Sequence, residues 1–93
     1  MNLKIWRWHL KYLDEQTLVM PGGAQLLSVQ IGRGGTPCLW ALCDTDSPDE
    51  SRTILFYGTG NPIPEKPGRY LGTFQLGEGQ LVFHVFEEAW PER

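Results

Sequence analysis

The sequence predicts an all-β fold of about seven short, mainly antiparallel strands forming a small sandwich or barrel, and three features point there. Apolar residues recur with a period of two over most of the chain, glycine and proline separate the alternating stretches, and no stretch keeps the 3.6-residue period of an amphipathic helix. A chain of 93 residues is expected to be one domain, 1–93, because a second core needs roughly 50 residues of its own.

Each element follows from local chemistry. Trp6, Trp8, Leu10 and Tyr12 alternate with Arg7, His9 and Lys11, which reads as a half-buried strand with a basic outer stripe. Cations placed this way discourage edge-to-edge pairing. Asp14-Glu15-Gln16 is turn-like, TLVM (17–20) is a short strand, and Pro21-Gly22-Gly23 stops it. AQLLSVQI (24–31) and PCLWALCD (37–44) form a hairpin through Gly32-Arg33-Gly34-Gly35, whose glycines suit the positive φ of tight turns. Thr45 to Ser51 is a polar, acidic loop, and RTILFYGT (52–59) is a strand that runs into Gly58-Thr59-Gly60. GNPIPEKPG (60–68) carries three prolines that cannot donate to a ladder, so it is a connector. RYLGTFQL (69–76) and QLVFHVFEE (80–88) make a second hairpin across Gly77-Glu78-Gly79. The final AWPER is expected to be ordered only if Trp90 packs down.

Alternation also assigns faces. The inner set is read as Leu27, Val29 and Ile31; Cys38, Trp40 and Leu42; Ile54 and Phe56; Tyr70, Phe74 and Leu76; and Leu81, Phe83 and Val85. The opposite parity is apolar as well: Leu39 and Ala41, Leu55 and Tyr57, Val82 and Phe86. Two apolar faces in so short a chain mean central strands or a covering partner, so self-association into a homo-oligomer is expected.

Composition excludes several classes of function. A formal net charge of -3 does not suit a protein that neutralises the phosphates of duplex DNA. The charge is uneven: Asp44, Asp46, Asp49 and Glu50 fall close together, while residues 1–37 carry four cations against two acids. No apolar stretch approaches the roughly 18 residues of a membrane helix, and Lys4, Arg7 and Lys11 stand where a signal peptide would be apolar. A soluble cytoplasmic protein is expected. Cys38 and Cys43 lie five residues apart on one strand, where a rise of about 3.3 Å per residue separates them by roughly 16 Å. That is too far for a disulfide, and the odd spacing points them to opposite faces. With only His9 and His84 besides, no metal site and no cofactor is expected.

The search for chemistry yields candidate binding residues and no catalytic set. The acidic loop has Pro48 where an EF-hand needs its turn, and it reads as a solvated connector. Pro64 to Arg69 spells PxxPxR, the order that SH3-type grooves read, and is better explained as a rigid connector. Glu87 and Glu88 are adjacent on a strand and face opposite ways. The glycine loops could turn backbone N–H groups toward an anion, with Arg33 or Arg69 adding charge, although neither is a P-loop or a GxGxxG fingerprint.

The ordered blocks DEQTLVMPGGAQLLSVQ, PCLWAL, FYGTGNPIP, PGRYLGTFQL and LVFHVFEE resemble, over nearly the whole chain, a family of short uncharacterised proteins of phages, prophages and bacteria. That resemblance supplies no reaction, cofactor or catalytic residue. It implies a context in which small accessory proteins are commonly non-enzymatic binders, including inhibitors of host defence proteins and oligomers that sequester nucleotide signals.

Three functions are therefore carried forward. The first is a self-associating, non-enzymatic, phage-type binder that antagonises host defence by sequestering a small anionic, nucleotide-like signal. It would use Arg33, Gly34, Tyr57, Thr59, Asn61, Arg69 and Tyr70, with the tyrosines stacking on a base. The second is a protein–protein inhibitor or assembly module that presents Leu39, Leu55, Val82 and Phe86 with Tyr57. A small hydrolase working through His84 and nearby acids is the third.

Overall fold

The computed structural model describes residues 1–88; AWPER with Trp90 lies outside the described residues. Seven strands are present: β1 Leu3–His9, β2 Glu15–Pro21, β3 Gln25–Ile31, β4 Pro37–Asp44, β5 Asp49–Gly58, β6 Arg69–Leu76 and β7 Leu81–Glu87. They form a three-stranded sheet in the order β1-β4-β3 and a four-stranded sheet in the order β2-β5-β7-β6. Every pairing is antiparallel. The two sheets pack as a sandwich rather than a closed barrel, with β3 set against β6. No helix of the described residues is long and apolar enough to cross a membrane.

Both expected hairpins form, β3–β4 through a 3-10 turn at Arg33–Gly35 and β6–β7 through residues 77–80. Some strand ends differ from the alternation. β1 starts at Leu3 and stops at His9, and β2 starts at Glu15 because the segment 15–21 pairs with 49–55 of β5. That same pairing draws Asp49, Glu50 and Ser51 out of the acidic loop and into a strand.

Three strands have their face assignments corrected, and Leu81, read as inner, is 55% exposed at the start of β7. On β4 the parity is reversed: Leu39, Ala41 and Cys43 are fully buried, while Trp40 and Leu42 lie half-buried on the other face. Both parities of that strand are apolar, so hydrophobicity could not choose between them, and one residue of phase flips every side chain. On β3 a bulge between Leu26 and Ser28 directs Leu26 and Val29 inward and leaves Leu27 exposed. On β6 a bulge between Tyr70 and Gly72 brings Phe74 inside and turns Tyr70 out, 56% exposed. Gly72 sits where β6 comes closest to β3, since a Cβ there would lie 3.6 Å from the Val29 carbonyl oxygen.

The interior has two chemically distinct ends. At one, Phe56, Phe74 and Phe83 pack with ring centroids 5.5 to 6.0 Å apart, and Tyr12 lies against Phe74 and Phe83 at 6.2 and 6.1 Å. The Tyr12 hydroxyl donates to the Gly35 carbonyl, which ties the β3–β4 turn across this end. Tilted and edge-on aromatic pairs like these contribute about 0.5–1.5 kcal/mol each beyond area burial.

At the other end lies an ion pair that alternation alone did not reveal. Arg52 of β5 and Glu87 of β7 are 6% and 5% exposed and face inward. The Arg52 guanidinium donates through Nε to Glu87 Oε2 and through Nη2 to Oε1 at 3.0 Å. Its Nη1 donates to the Ala24 carbonyl at 3.0 Å and to Glu50 Oε2 at 3.3 Å. Arg69 reaches in from β6 to donate to Glu87 Oε1 at 2.8 Å. Burial alone would push the Glu87 carboxyl up, but the hydrogen bonds and charge of Arg52, then of Arg69, outweigh it and hold the group below the usual carboxylate range. The backbone is equally tight here. Gly68 has a φ of +102°, and a Cβ on it would stand 2.2 Å from the Glu87 carbonyl oxygen.

Removing one partner of a buried pair strands the other, whereas replacing both with apolar groups can be close to neutral. Arg52→Met is therefore expected to cost about 3 kcal/mol or more of unfolding free energy, and Arg52→Met with Glu87→Leu to recover most of it. Urea unfolding of the three proteins measures this. An equal loss in the single and double variants contradicts it.

Candidate functional site

Because Arg52, Ile54 and Phe56 point inward on β5, Leu55 and Tyr57 point outward. On β7, Phe83, Val85 and Glu87 face in, which leaves Val82, His84 and Phe86 outside. The register sets Leu55 opposite Phe86 and Tyr57 opposite His84, while Tyr70 of β6 stands opposite Phe86. The result is an aromatic row across the outer face of the four-stranded sheet. Tyr57 meets Phe86 at 5.5 Å and Tyr70 meets Phe86 at 5.4 Å, both edge-to-face. The Tyr57 hydroxyl is pushed above its ordinary pKa by partial burial and then by the negative charges of Glu88 and Glu15.

A chain of side-chain hydrogen bonds crosses the same face. Tyr70 Oη lies 2.6 Å from Thr73 Oγ1, which lies 3.0 Å from His84 Nδ1, and His84 Nε2 lies 2.7 Å from Thr59 Oγ1. A neutral imidazole donates through one nitrogen and accepts through the other, so His84 is satisfied at both. The Thr59–His84 separation is that of a nucleophile and a base. The group on the far nitrogen, however, is the Thr73 hydroxyl and not a carboxylate, so the arrangement differs from a catalytic triad at its third member. The chain holds the rotamers of Thr59, Thr73 and Tyr70 and links β6 and β7 to the turn after β5.

That turn borders a cleft of about 410 Å³ between the start of β2 and the proline connector. Asp14, Glu15, Tyr57, Asn61, Pro62 and Phe83 are among its walls. Asn61 folds back over Gly58, where a Cβ would stand 2.8 Å from its amide nitrogen. Tyr57 belongs to the cleft and to the aromatic row alike, and Leu55 of the cleft stands opposite Phe86 of the row, so the two are continuous.

The structure thus brings Leu55, Tyr57, Thr59, Asn61, Tyr70, Val82 and Phe86 to one side of the molecule. It separates the others from them. Leu39 is in the core and cannot be an interface residue. Arg69 is held by Glu87 through its guanidinium. Arg33 and Gly34 form the turn of a hairpin in the other sheet. The glycine loops also use their own donors. The N–H groups of Thr59 and Asn61 go to the carbonyls of Val82 and Gly58, and those of Gly32 and Gly35 to Thr36 and Gly32.

Other motifs are absorbed into the scaffold. Asp44 accepts from the backbone N–H of Asn2 and of Asp46, which hold its carboxyl below the usual range. Cys38 and Cys43 are unpaired and buried, and burial pushes the Cys43 thiol up. No group of three or more His, Cys, Asp or Glu able to hold a metal lies among the described residues.

Two surface features were not evident from alternation. The His84 hydrogen-bond chain depends on the β6 bulge, which puts Tyr70 and Thr73 on one face although their odd spacing implies opposite ones. The outer face of the three-stranded sheet is also apolar: Leu3, Ile5 and Leu27 are exposed beside Trp40 and Leu42, with Ile5 directly opposite Leu42. The reversed parity of β4 had hidden it.

No curated protein matches this chain, and no solved structure matches it either. A family model does match, over residues 1–93, and on that evidence the chain belongs to the domain-of-unknown-function family DUF7352.

Proposed function

We propose that this chain is a non-catalytic binding protein that docks a protein partner through the outer face of its four-stranded sheet, working in a bacterial cytoplasm as a phage-type antagonist of a host protein. One observation carries the reading: the edge-to-face row Tyr57–Phe86–Tyr70, whose outermost ring, Tyr70, is 56% exposed. Rigid aromatic anchors ringed by polar groups are the usual chemistry of interface hot spots, and Thr53, Thr73, Gln75 and Glu88 surround this row. The buried, unpaired cysteines suit a reducing compartment. Sequestration of an anionic nucleotide-like signal has less support, because Arg33 lies in the other sheet and the Arg69 guanidinium is engaged by Glu87.

A second reading concerns self-association. The apolar outer face of the three-stranded sheet carries its own opposite charges, with Asp44 at one end of the β1–β4 register and Arg7 toward the other, two pairs in from the terminal His9–Cys38 pair. A two-fold axis lying in that face across the strands sets the basic end of one copy on the acidic end of the next, so the face is complementary to itself.

Photo-crosslinking tests the first reading. With p-benzoylphenylalanine in place of Tyr70, one adduct of defined mass is expected in host cells, lost on adding Phe86→Asp while the circular dichroism spectrum is kept. No adduct, an adduct equally strong from Glu78, or a stoichiometric nucleotide complex in native mass spectrometry overturns it. Light scattering tests the second: a dimer is expected for the parent chain and a monomer for Ile5→Asp, and a monomeric parent contradicts it.

A further inference from the structure

The cleft beside the aromatic row has a charge that the row lacks. Asp14 and Glu15 line it, both exposed, the Glu15 charge acting on the Tyr57 hydroxyl, and neither acid forms an ion pair among the described residues. Among the described residues, no lysine or arginine lines it. Its other walls are aromatic and apolar, Tyr57 and Phe83 with Leu55 and Pro62, and Asn61 adds a side-chain amide. Carboxylates over aromatic faces and an apolar floor recognise a cation carried on an apolar stem. They repel phosphate and carboxylate ligands.

We infer that this cleft takes an arginine side chain from the docked partner, its guanidinium held by Asp14 and Glu15 and its methylene stem lying over Leu55 and Pro62. This rests on the proposed docking face and names the partner's chemistry there. Arginine suits the site because a planar guanidinium can stack on Tyr57 while donating in its own plane to a carboxylate. A metal ion does not suit the site, since Asp14 and Glu15 are consecutive at the strand start and no third acidic or histidine ligand among the described residues lines the cleft.

A titration of the 15N-labelled protein with N-acetyl-arginine amide, whose only charge is the guanidinium, tests this. Saturable shifts are expected in the amides of Asp14, Glu15, Gly58 and Asn61, with millimolar affinity. N-acetyl-citrulline amide, the neutral isostere, is expected to move none of them. Asp14→Asn with Glu15→Gln should weaken arginine binding at least about threefold, as should raising the salt to 0.5 M. Equal shifts with citrulline, shifts elsewhere, or undiminished binding in the double variant overturn the inference. The probe needs no partner, so arginine binding without crosslinking at Tyr70 would discard the docking face and keep the cleft. Crosslinking without arginine binding would do the reverse.

Discussion

The buried pair Arg52–Glu87 constrains the fold more tightly than any other interaction in it. It places two charges in the interior of a thin sandwich, on neighbouring strands, with each guanidinium nitrogen and each carboxylate oxygen hydrogen-bonded: carboxylate oxygens on the guanidinium, the Ala24 carbonyl on Nη1, and Arg69 closing the set from β6. Such a pair adds little net stability over apolar residues, because desolvation offsets most of its attraction. Its effect is on register. A one-residue slip of β5 or β7 would turn one charge out and leave the other uncompensated.

From that register the outer face follows. With Arg52 and Glu87 fixed inward, a strict period of two sends Leu55 and Tyr57 outward on β5 and His84 and Phe86 outward on β7. The aromatic row is thus held by the interior charges beneath it, and the His84 hydrogen bonds fix its rim. The inner phenylalanine cluster occupies the end of the sandwich remote from the pair, by the acidic cleft, so the interior is polar at one end and aromatic at the other. The two broad sides of the slab also differ. One carries an aromatic row beside carboxylates, and the other carries aliphatic side chains and Trp40 between one cation and one anion.

Strand content and both hairpins were legible from alternation and glycine placement, to the residue for β4 and β6. Side-chain facing was much less so. On β4 either parity is apolar, and only packing against the second sheet selects Leu39, Ala41 and Cys43. On β3 and β6 a bulge inserts a residue that no alternation rule anticipates, which turns out Leu27 and Tyr70. Of the candidate site, Leu55, Tyr57, Val82 and Phe86 follow from parity, and Thr59 and Asn61 from the turn after β5. Arg33, Gly34 and Arg69 were grouped with them by chemistry alone, and a strand order that sends β3–β4 to the other sheet separates the first two. Nor does a charge at the start of an apolar strand announce that it is buried. Arg52 and Glu87 lie 35 residues apart, and only the β5–β7 pairing makes them partners.

The claim that an ionised interior pair sets this register is tested most directly by following the Glu87 side-chain carboxyl carbon in 13C NMR as the pH falls from 7. A carboxyl whose folded pKa is lowered contributes stability that is present above its unfolded value and lost as the pH falls through the folded one. The account predicts that Glu87 stays ionised through the range in which ordinary glutamates take up a proton, and that its protonation coincides with loss of the folded spectrum. Glu87 titrating within or above the ordinary glutamate range, with the fold intact, would contradict it.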